Sequence, residues 1–469
     1  MSASKNSELQ LDLAAEALIN GLVIEASAGT GKTYSVSALV AREIALREDL
    51  RIGNILITTF TRNAAAELRD RVRRRIVEIA DQLEGNVPDE NDAISVALSM
   101  KADSQSDIIR RLRRALVEFD TATISTIHAV CNKVLGLAGL STMQVDGEDA
   151  TGRLVLEAVN DALIEAGMEG RIIANGEQEK LVALVQAKIG APKANLWYSS
   201  EQKSPEQVAA LNEIIQVVNS AVKRVQEKSL EMPSYNDLLR RATEVVVSGK
   251  YPGVVQAFKE RFSLAFVDEA QDTDMLQWEL FTKTFETTND PEDERALVTV
   301  GDPKQAIYGF RGADVASYVA HRENKPLRSL AQNQRSDEIL VDGLNALLKD
   351  STFGPGIDYV KVSTPERHKG SAIQGTTPLQ LIDVGNLTNQ GRLSVPVAKR
   401  IAEILMTCSI SSRGGKDESP SRRVQPQDIC VLVTRKAVGR DVERELRRLG
   451  IPAVSNGTES VMQSQIALA

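Results

Sequence analysis

Residues 23–33 read Val23-Ile24-Glu25-Ala26-Ser27-Ala28-Gly29-Thr30-Gly31-Lys32-Thr33. This short apolar run turns through glycines into Lys-Thr, and the spacing of apolar residues predicts an amphipathic helix from Tyr34 to about Leu46. The pattern is typical of a phosphate-binding loop, in which backbone N–H groups and the positive end of the following helix face nucleotide phosphates. We therefore predict that Ala26 to Thr33 bind ATP.

The last two residues of this loop have specific predicted tasks. Lys32 is expected to reach the β- and γ-phosphate oxygens, and the Thr33 hydroxyl is expected to bind Mg²⁺. The common pattern G-x-x-x-x-G-K-[ST] has glycine where this chain has Ala26, so the opening turn needs a negative φ that alanine tolerates. The alternative is a glycine-containing turn without a ligand, and the strand before it and the helix after it disfavour that alternative.

The composition indicates an ordinary globular protein. The chain has 469 residues, 42% hydrophobic and 26% charged, which is enough for roughly two or three domains. No stretch is apolar enough to span a membrane, and the first ten residues are polar, so we expect a cytoplasmic protein. The net charge of −8 restricts any nucleic-acid binding to local grooves. Widely spaced Cys131, Cys408 and Cys430 disfavour a disulfide frame or a zinc knuckle.

Strands and helices are predicted to alternate along the chain, which indicates an α/β fold with parallel sheets and a large helical insertion. Together with the phosphate loop, this fold fits the P-loop NTPase class. We expect a first, ATP-binding domain at 1–326 with helical insertions at about 84–118 and 135–250. The acidic, polar stretch 84–106 is expected to be an exposed insertion. The beginning of a second domain is predicted at 327–469, with strands at 379–384, 429–433 and 451–454 and a flexible loop at about 409–426.

A second group of candidate catalytic residues follows two predicted apolar strands. Asp268 and Glu269 come directly after Leu264–Val267, so both carboxylates are expected at the carboxyl edge of a parallel sheet, where ligands bind. Asp268 is predicted to bind Mg²⁺ and Glu269 to polarise the attacking water. Gln305 and Arg335 are predicted to contact the γ-phosphate. Each alone is more often a solvated surface group, but the upstream phosphate loop favours hydrolysis.

Five further strings resemble the ordered motifs of superfamily 1 DNA helicases of the UvrD/Rep type. They are TTFTRNAAAELRDR (58–71), STIHAVC (125–131), FVDEAQDTD (266–274), VGDPKQAIYGFRGAD (300–314) and QNQRS (332–336). Within that group, IEASAGTGKT together with GDPKQAIYGFRGAD is most similar to the RecB-type members, the β subunits of exonuclease V. The resemblance spans nearly the whole chain.

The resemblance implies an ATP cleft between two RecA-like domains and a non-specific track for single-stranded DNA. It assigns to that track Phe60, Thr61, His128, Tyr308, Phe310 and Arg311. Aromatic faces there can stack on any base. It also implies an ATP-dependent DNA helicase or translocase that acts on DNA ends in double-strand break repair and recombination, with RecC-like and RecD-like subunits as partners.

The chain departs from the family pattern in three places. Gln10 is a weak counterpart of the glutamine that reads adenine, and Gln334 stands where relatives have an aromatic that stacks on adenine. The last two helicase motifs and the nuclease domain have no counterpart in these 469 residues. If the polypeptide is complete, we expect nucleotide binding with crippled hydrolysis, because a missing arginine contact is worth ~10³–10⁵ in rate. The alternatives are a stand-alone UvrD-like repair helicase and a non-catalytic ATP- and DNA-binding fragment.

Overall fold

The computed structural model describes residues 9–18, 21–85, 87, 89–90, 92–101, 104–140, 148–168, 178–190, 204–228, 235–285, 295–309, 313–323, 325–383, 393–411 and 421–455. The chain divides into two compact units, Met1–Leu330 and Ala331–Ala469. Within the described residues, no helix is long and apolar enough to cross a membrane.

The first unit is built on a parallel sheet that has seven strands in the described residues: β1 (Leu9–Gln10), β2 (Leu22–Ala26), β3 (Ile55–Thr59), β4 (Thr123–Thr126), β5 (Leu264–Asp268), β6 (Ala296–Gly301) and β7 (Leu327–Leu330). Their order across the sheet is β1-β7-β2-β6-β5-β3-β4. Successive residues of β3 alternate between two apolar cores, with Ile57 in one and Leu56 in the other. Strands covered on both faces are continuously apolar, as the sequence predicted.

Twelve helices of the first unit lie in the described residues: α1 (Lys32–Leu46), α2 (Arg62–Glu84), α3 (Ala93–Ser99), α4 (Gln105–Val117), α5 (Ile127–Leu137), α6 (Glu148–Met168), α7 (Gln178–Gly190), α8 (Pro205–Lys228), α9 (Tyr235–Val247), α10 (Pro252–Arg261), α11 (Met275–Phe285) and α12 (Val315–Glu323). One face of the sheet packs against α1–α4 and the other against α5 and α9–α11. Helices α6–α8 share a separate apolar core.

The prediction of an exposed insertion at 84–106 is wrong for α3. Ile94 and Leu98 of this helix are buried in the core that also contains α1 and α2. The helix begins at Asp92, whose carboxylate accepts a hydrogen bond from the Ile94 N–H at 3.2 Å. The acidic composition of the segment therefore concealed two apolar residues with the i, i+4 spacing of a buried helix face.

The boundary between the units differs slightly from the predicted one. A division after residue 326 would separate β7 from the first unit. In the structure β7 pairs in parallel with β2, with Val23 opposite Leu327 and Ala26 opposite Leu330. The strand therefore belongs to the sheet that carries the phosphate loop, and the second unit begins at Ala331.

The second unit contains α13 (Glu338–Leu347), α14 (Ser394–Thr407) and α15 (Lys436–Arg448), together with short strands β8 (Ile373–Gln374), β9 (Ser409–Ile410) and β10 (Arg422–Arg423). These strands pair antiparallel in the order β10-β9-β8. Both flanks of the loop predicted at 409–426 thus pair with each other, and residues 412–420 lie outside the described part.

The strands predicted at 379–384, 429–433 and 451–454 are wrong as far as their residues are described, since none of those residues is in a strand. Leu381, Leu432 and Val454 are 97%, 92% and 93% exposed. An apolar run forms a strand only when a neighbouring strand takes up its backbone hydrogen bonds. Apolar composition alone was therefore an insufficient signal in this unit.

One buried ion pair gives a stability prediction for the first unit. Arg75 on α2 donates to Asp92 at 2.6 Å, with only 7% and 6% of the two side chains exposed. Arg75→Met would leave the carboxylate buried without its cation, so we expect the free energy of unfolding to fall by about 3–5 kcal/mol. Urea denaturation would measure this change.

The neighbouring Arg74 is exposed on the same helix and provides the control. Arg74→Met should change the free energy of unfolding by less than about 0.5 kcal/mol. Equal effects of the two substitutions would contradict the assignment of Arg75 as the buried partner.

Candidate functional site

The predicted motifs lie at the carboxyl ends of adjacent strands. In the order β2-β6-β5-β3-β4, these ends continue into the loop 26–33, the loop 302–308, the segment 268–272, Phe60 and the start of α5. In a parallel sheet these ends share one edge, which is where ligands of such folds bind. The sheet order thus brings together segments that are far apart in the chain.

The phosphate loop has the backbone geometry that an anion site requires. Gly29 and Gly31 have φ values of 80° and 99°, which residues with a Cβ rarely adopt. Ala26 is not among the described non-glycine residues with positive φ, so its predicted negative φ is confirmed. The Thr30 hydroxyl donates to the Ser27 carbonyl at 2.8 Å and closes the loop.

Helix α1 begins at Lys32 without a side-chain cap. Backbone N–H groups in the first turn of a helix have no partner within that helix. Together with the helix dipole, they favour an anion at this end. The uncapped helix and the two left-handed glycines therefore fit the triphosphate of a nucleotide.

Lys32 and Glu269 meet directly. The Lys32 Nζ atom lies 2.7 Å from Glu269 Oε2, and the two side chains are 12% and 34% exposed. The phosphate-loop lysine from β2–α1 and the acidic residue after β5 are therefore part of one site, as the sequence predicted. This contact brings the two motifs together at one place on the sheet edge.

Glu269 has an unusual backbone conformation, with φ 53° and ψ 44°. A non-glycine residue in this left-handed region costs of order 1–3 kcal/mol and is found mainly at functional sites. The conformation is supported on both sides, because Glu269 N–H donates to Asp268 Oδ1 at 3.0 Å and its carbonyl accepts from Asp272 N–H at 3.0 Å. The turn aims the carboxylate at Lys32.

Asp268 and Asp272 have raised pKa values of about 6. In both, burial is the main cause and the negative charge of Glu269 adds to it, while Lys32 opposes the shift. Several carboxylates in a confined space are stabilised by a cation. The described residues contain no group of three or more acidic, histidine or cysteine ligands arranged for a metal. Thr33, at the start of α1, and Asp268, at the end of β5, carry oxygen ligands of the kind that Mg²⁺ takes besides water and phosphate, and their binding of Mg²⁺ stays a prediction.

Gln305 lies in the loop after β6, but its amide is engaged with a neighbour. Its Nε2 donates to Asp302 Oδ2 at 2.8 Å. Asp302 is 2% exposed and also forms an ion pair with Lys304 at 2.7 Å. A role for Gln305 at the γ-phosphate stays a prediction.

Sequence reasoning missed Gln271. This side chain is 1% exposed, and it donates from Nε2 to Glu269 Oε2 at 2.8 Å. Its Oε1 accepts from the Asp302 N–H at 2.9 Å. The available signal was the string DEAQD, which puts an amide two residues after Glu269, at a position that the fold buries.

The residues assigned to a DNA track lie near the same edge where they are described. The rings of Phe60 and Tyr308 stack with centroids 4.9 Å apart and an interplanar angle of 24°. Thr61 caps α2, because its hydroxyl accepts from Ala64 N–H at 3.1 Å. Phe60, Asp268 and Glu269 line one cleft. Phe310 and Arg311 lie outside the described residues.

His128 belongs to the first turn of α5 rather than to the polar tip of a strand, since β4 ends at Thr126. Burial, and after it the positive charge of Arg62, lowers the pKa of His128 to about 4. The imidazole is therefore neutral near pH 7. It can donate or accept a hydrogen bond, but it contributes no positive charge to a nucleic-acid surface.

Arg335 lies in the second unit, in a turn organised by Asn333. The Asn333 Oδ1 atom accepts from the backbone N–H groups of Arg335 and Ser336 at 2.9 and 2.8 Å. The Arg335 side chain is exposed. Gln334, the residue in place of the family's aromatic, is exposed and accepts a hydrogen bond from Arg367. Gln10 is exposed on β1.

Comparison with known protein families agrees with this arrangement. The model of the UvrD/REP helicase N-terminal domain matches residues 8–326, more than half of the chain. The chain belongs to the UvrD/Rep helicase family. The matched segment contains the phosphate loop, the segment 268–272 and the loop 302–308.

The curated relatives of this helicase chain include subunits of the RecBCD enzyme. The RecB subunit of Mycobacterium tuberculosis (strain ATCC 25618 / H37Rv) is 32% identical over 466 residues, covering 95% of this chain and 41% of the relative. For RecB of Mycolicibacterium smegmatis the identity is 32% over 458 residues, with the same coverage. Escherichia coli (strain K12) RecB is 23% identical over 575 residues, 92% of this chain and 48% of the relative. The chain therefore spans about two fifths to one half of these relatives.

The low pKa of His128 can be tested by proton NMR of the chain's 3 histidines. An ordinary histidine becomes half protonated near pH 6.5, whereas His128 should keep the chemical shift of a neutral imidazole between pH 7.5 and 6. His128→Asn identifies its signal by removing it. A midpoint above pH 6 for that signal would contradict the burial of the ring.

Proposed function

We propose that this chain is the ATP-hydrolysing part of a RecB-type DNA helicase or translocase, which acts on DNA ends in double-strand break repair and recombination. The observation that carries the proposal is the 2.7 Å contact between Lys32 and Glu269, formed beside the stacked rings of Phe60 and Tyr308. Family membership supports the use of ATP. The roles of individual residues and the DNA substrate belong to the proposal.

The ATP site would use the loop from Ala26 to Thr33 for the phosphates. The Lys32 ammonium contacts Glu269. A γ-phosphate is a stronger competitor for that ammonium, because it carries more negative charge than one carboxylate. Binding of nucleotide would therefore move Lys32 away and release Glu269.

Once released, Glu269 would orient and deprotonate the attacking water as a general base. Mg²⁺ bound by Thr33 and Asp268 would supply positive charge to the β- and γ-phosphate oxygens. Gln305 and Arg335 are proposed as γ-phosphate contacts on the basis of their motifs.

The DNA face would bind single strands without reading their sequence. Phe60 and Tyr308 offer aromatic surface, which stacks on any base. The net charge of −8 makes a general attraction to phosphate improbable as the source of affinity. Thr61 and His128 would add hydrogen bonds to the backbone, and Phe310 and Arg311 are included on the resemblance alone.

The names of the relatives suggest partners. Each is a subunit of an enzyme named RecBCD, so we propose RecC-like and RecD-like subunits as partners of this chain's full assembly. A stand-alone helicase of the UvrD kind would need no such subunits. Co-purification of the chain with RecC-like and RecD-like subunits would decide between a RecBCD-like assembly and a stand-alone helicase.

The enzymatic proposal predicts the effects of two substitutions on ATP turnover. Glu269→Gln should lower kcat by roughly 100-fold or more, because it removes the general base, while Mg·ATP still binds. Lys32→Ala should weaken nucleotide binding itself, because it removes the cation that faces the phosphates. Steady-state turnover with oligo(dT), together with equilibrium binding of a fluorescent ATP analogue, measures both effects.

Lys283 lies in the last turn of α11 and gives a control for the loss of a lysine charge outside the phosphate loop. Lys283→Ala should leave turnover within about twofold of the wild type. Nucleotide binding by the wild-type chain without any turnover would instead identify a non-catalytic ATP- and DNA-binding protein.

A separate prediction concerns the aromatic pair. Phe60→Ala and Tyr308→Ala should each weaken oligo(dT) binding by about 1–3 kcal/mol per stacked base, or about 5- to 150-fold. Fluorescence anisotropy measures this affinity. The matched control is Phe353→Ala, which removes a ring that is 44% exposed in the second unit. Equal losses at all three positions would contradict the placement of the DNA track.

A further inference from the structure

Gln271 connects two segments that the sheet order places side by side. Its Nε2 donates to Glu269 Oε2 at 2.8 Å, and its Oε1 accepts from Asp302 N–H at 2.9 Å. One amide therefore joins the segment after β5 to the loop after β6. Gln271 itself is 1% exposed, so neither contact is replaced by water at low cost.

The loop on the far side of Gln271 leads to the proposed DNA face. Asp302 fixes the start of this loop, because it accepts from Lys304 N–H at 3.1 Å and from Gln305 Nε2 at 2.8 Å. The loop then continues to Tyr308, which stacks on Phe60. A change in the position of Tyr308 would therefore be transmitted to Asp302, whose N–H is bound to Gln271.

The backbone next to Asp302 leaves no spare room around Gln271. A Cβ atom built on Gly301 would lie 2.7 Å from Gln271 Oε1 and 3.3 Å from its backbone N. Real side chains do not approach a Cβ so closely. Glycine at this position allows the Gln271 carbonyl to reach the Asp302 N–H, so the bridge depends on residues from both segments.

The importance of Gln271 increases when nucleotide binds. Glu269 Oε2 accepts from two donors, Lys32 Nζ at 2.7 Å and Gln271 Nε2 at 2.8 Å. The proposed function moves Lys32 to the phosphates. The Gln271 amide is then the side-chain donor that still orients the general base.

We propose that Gln271 is a positioning residue that makes ATP hydrolysis respond to DNA, by holding the Glu269 carboxylate in an orientation set by the loop 302–308. This inference rests on the proposed function and deepens it. DNA that stacks at Phe60 and Tyr308 fixes the loop, the Asp302 N–H fixes the Gln271 amide, and the amide fixes Glu269.

The competing explanation is that Gln271 only fills space and satisfies one backbone N–H. A purely structural glutamine would affect stability, and it would change turnover equally with and without DNA. The proposal requires a different signature. The ratio of kcat with oligo(dT) to kcat without it must fall, while the KM for Mg·ATP changes little.

Three substitutions in the full 469-residue chain separate these explanations. Gln271→Met keeps the length of the side chain but removes both hydrogen bonds. Gln271→Glu keeps an acceptor for Asp302 N–H but replaces the donor to Glu269 by a carboxylate that repels it. Gly301→Ala displaces the Gln271 carbonyl without removing a polar group from either partner.

Gln277→Met is the matched control. Gln277 lines the same cleft, but its amide donates to Asp274 Oδ2 at 3.1 Å rather than to Glu269. This variant should keep the stimulation ratio of the wild type. Thermal unfolding of every variant identifies any that fails to fold, and Gly301→Ala tests the bridge without removing or charging the Gln271 side chain.

All three test variants should lower the DNA stimulation ratio by roughly 10-fold, a coupling of about 1.4 kcal/mol. Their KM for Mg·ATP should stay within about threefold of the wild type. A wild-type ratio in Gln271→Glu and Gln271→Met overturns the inference alone. A wild-type chain whose turnover is absent, or unaffected by Lys32→Ala, overturns the proposed function and removes the basis of the inference.

Discussion

The ion pair between Lys32 and Glu269 is the contact on which the rest of the site depends. It joins the loop that would receive a triphosphate to the residue that would activate water. The strained backbone of Glu269, with φ 53°, is compatible with folding because Lys32, Asp268 and Gln271 all contact this residue. Lys32 and Glu269 therefore bind each other within the site, and a ligand that binds Lys32 must replace this contact.

The parallel sheet gives this pair its setting. Strand β6 lies between β2 and β5, so the loop 302–308 leaves the carboxyl edge next to both the phosphate loop and the segment that carries Glu269. On the far side of β5, β3 brings Phe60 to the same edge, where it stacks on Tyr308. The stacked rings of Phe60 and Tyr308 are consequently connected to Glu269 through the loop 302–308 and the hydrogen bonds of the buried Gln271 amide.

The sequence predicted those features that follow from local chemistry. Continuous apolar runs identified β3, β5 and β6, and the spacing of Gly29, Gly31 and Lys32 identified the loop. It did not predict contacts that depend on the sheet order, such as the bond from Gln271 to Asp302. The acidic composition around α3 concealed the buried Ile94 and Leu98 of that helix. The apolar runs at 379–383 and 429–433 did not form strands, because no neighbouring strand among the described residues pairs with them.

A crystal structure of the chain with Mg²⁺ and a non-hydrolysable ATP analogue tests the central claim most directly. The account predicts that Lys32 Nζ lies within hydrogen-bond distance of the β- or γ-phosphate and has separated from Glu269, while the Gln271 amide still contacts Glu269. A triphosphate bound elsewhere, or one bound at the loop with the 2.7 Å contact between Lys32 and Glu269 intact, would contradict it.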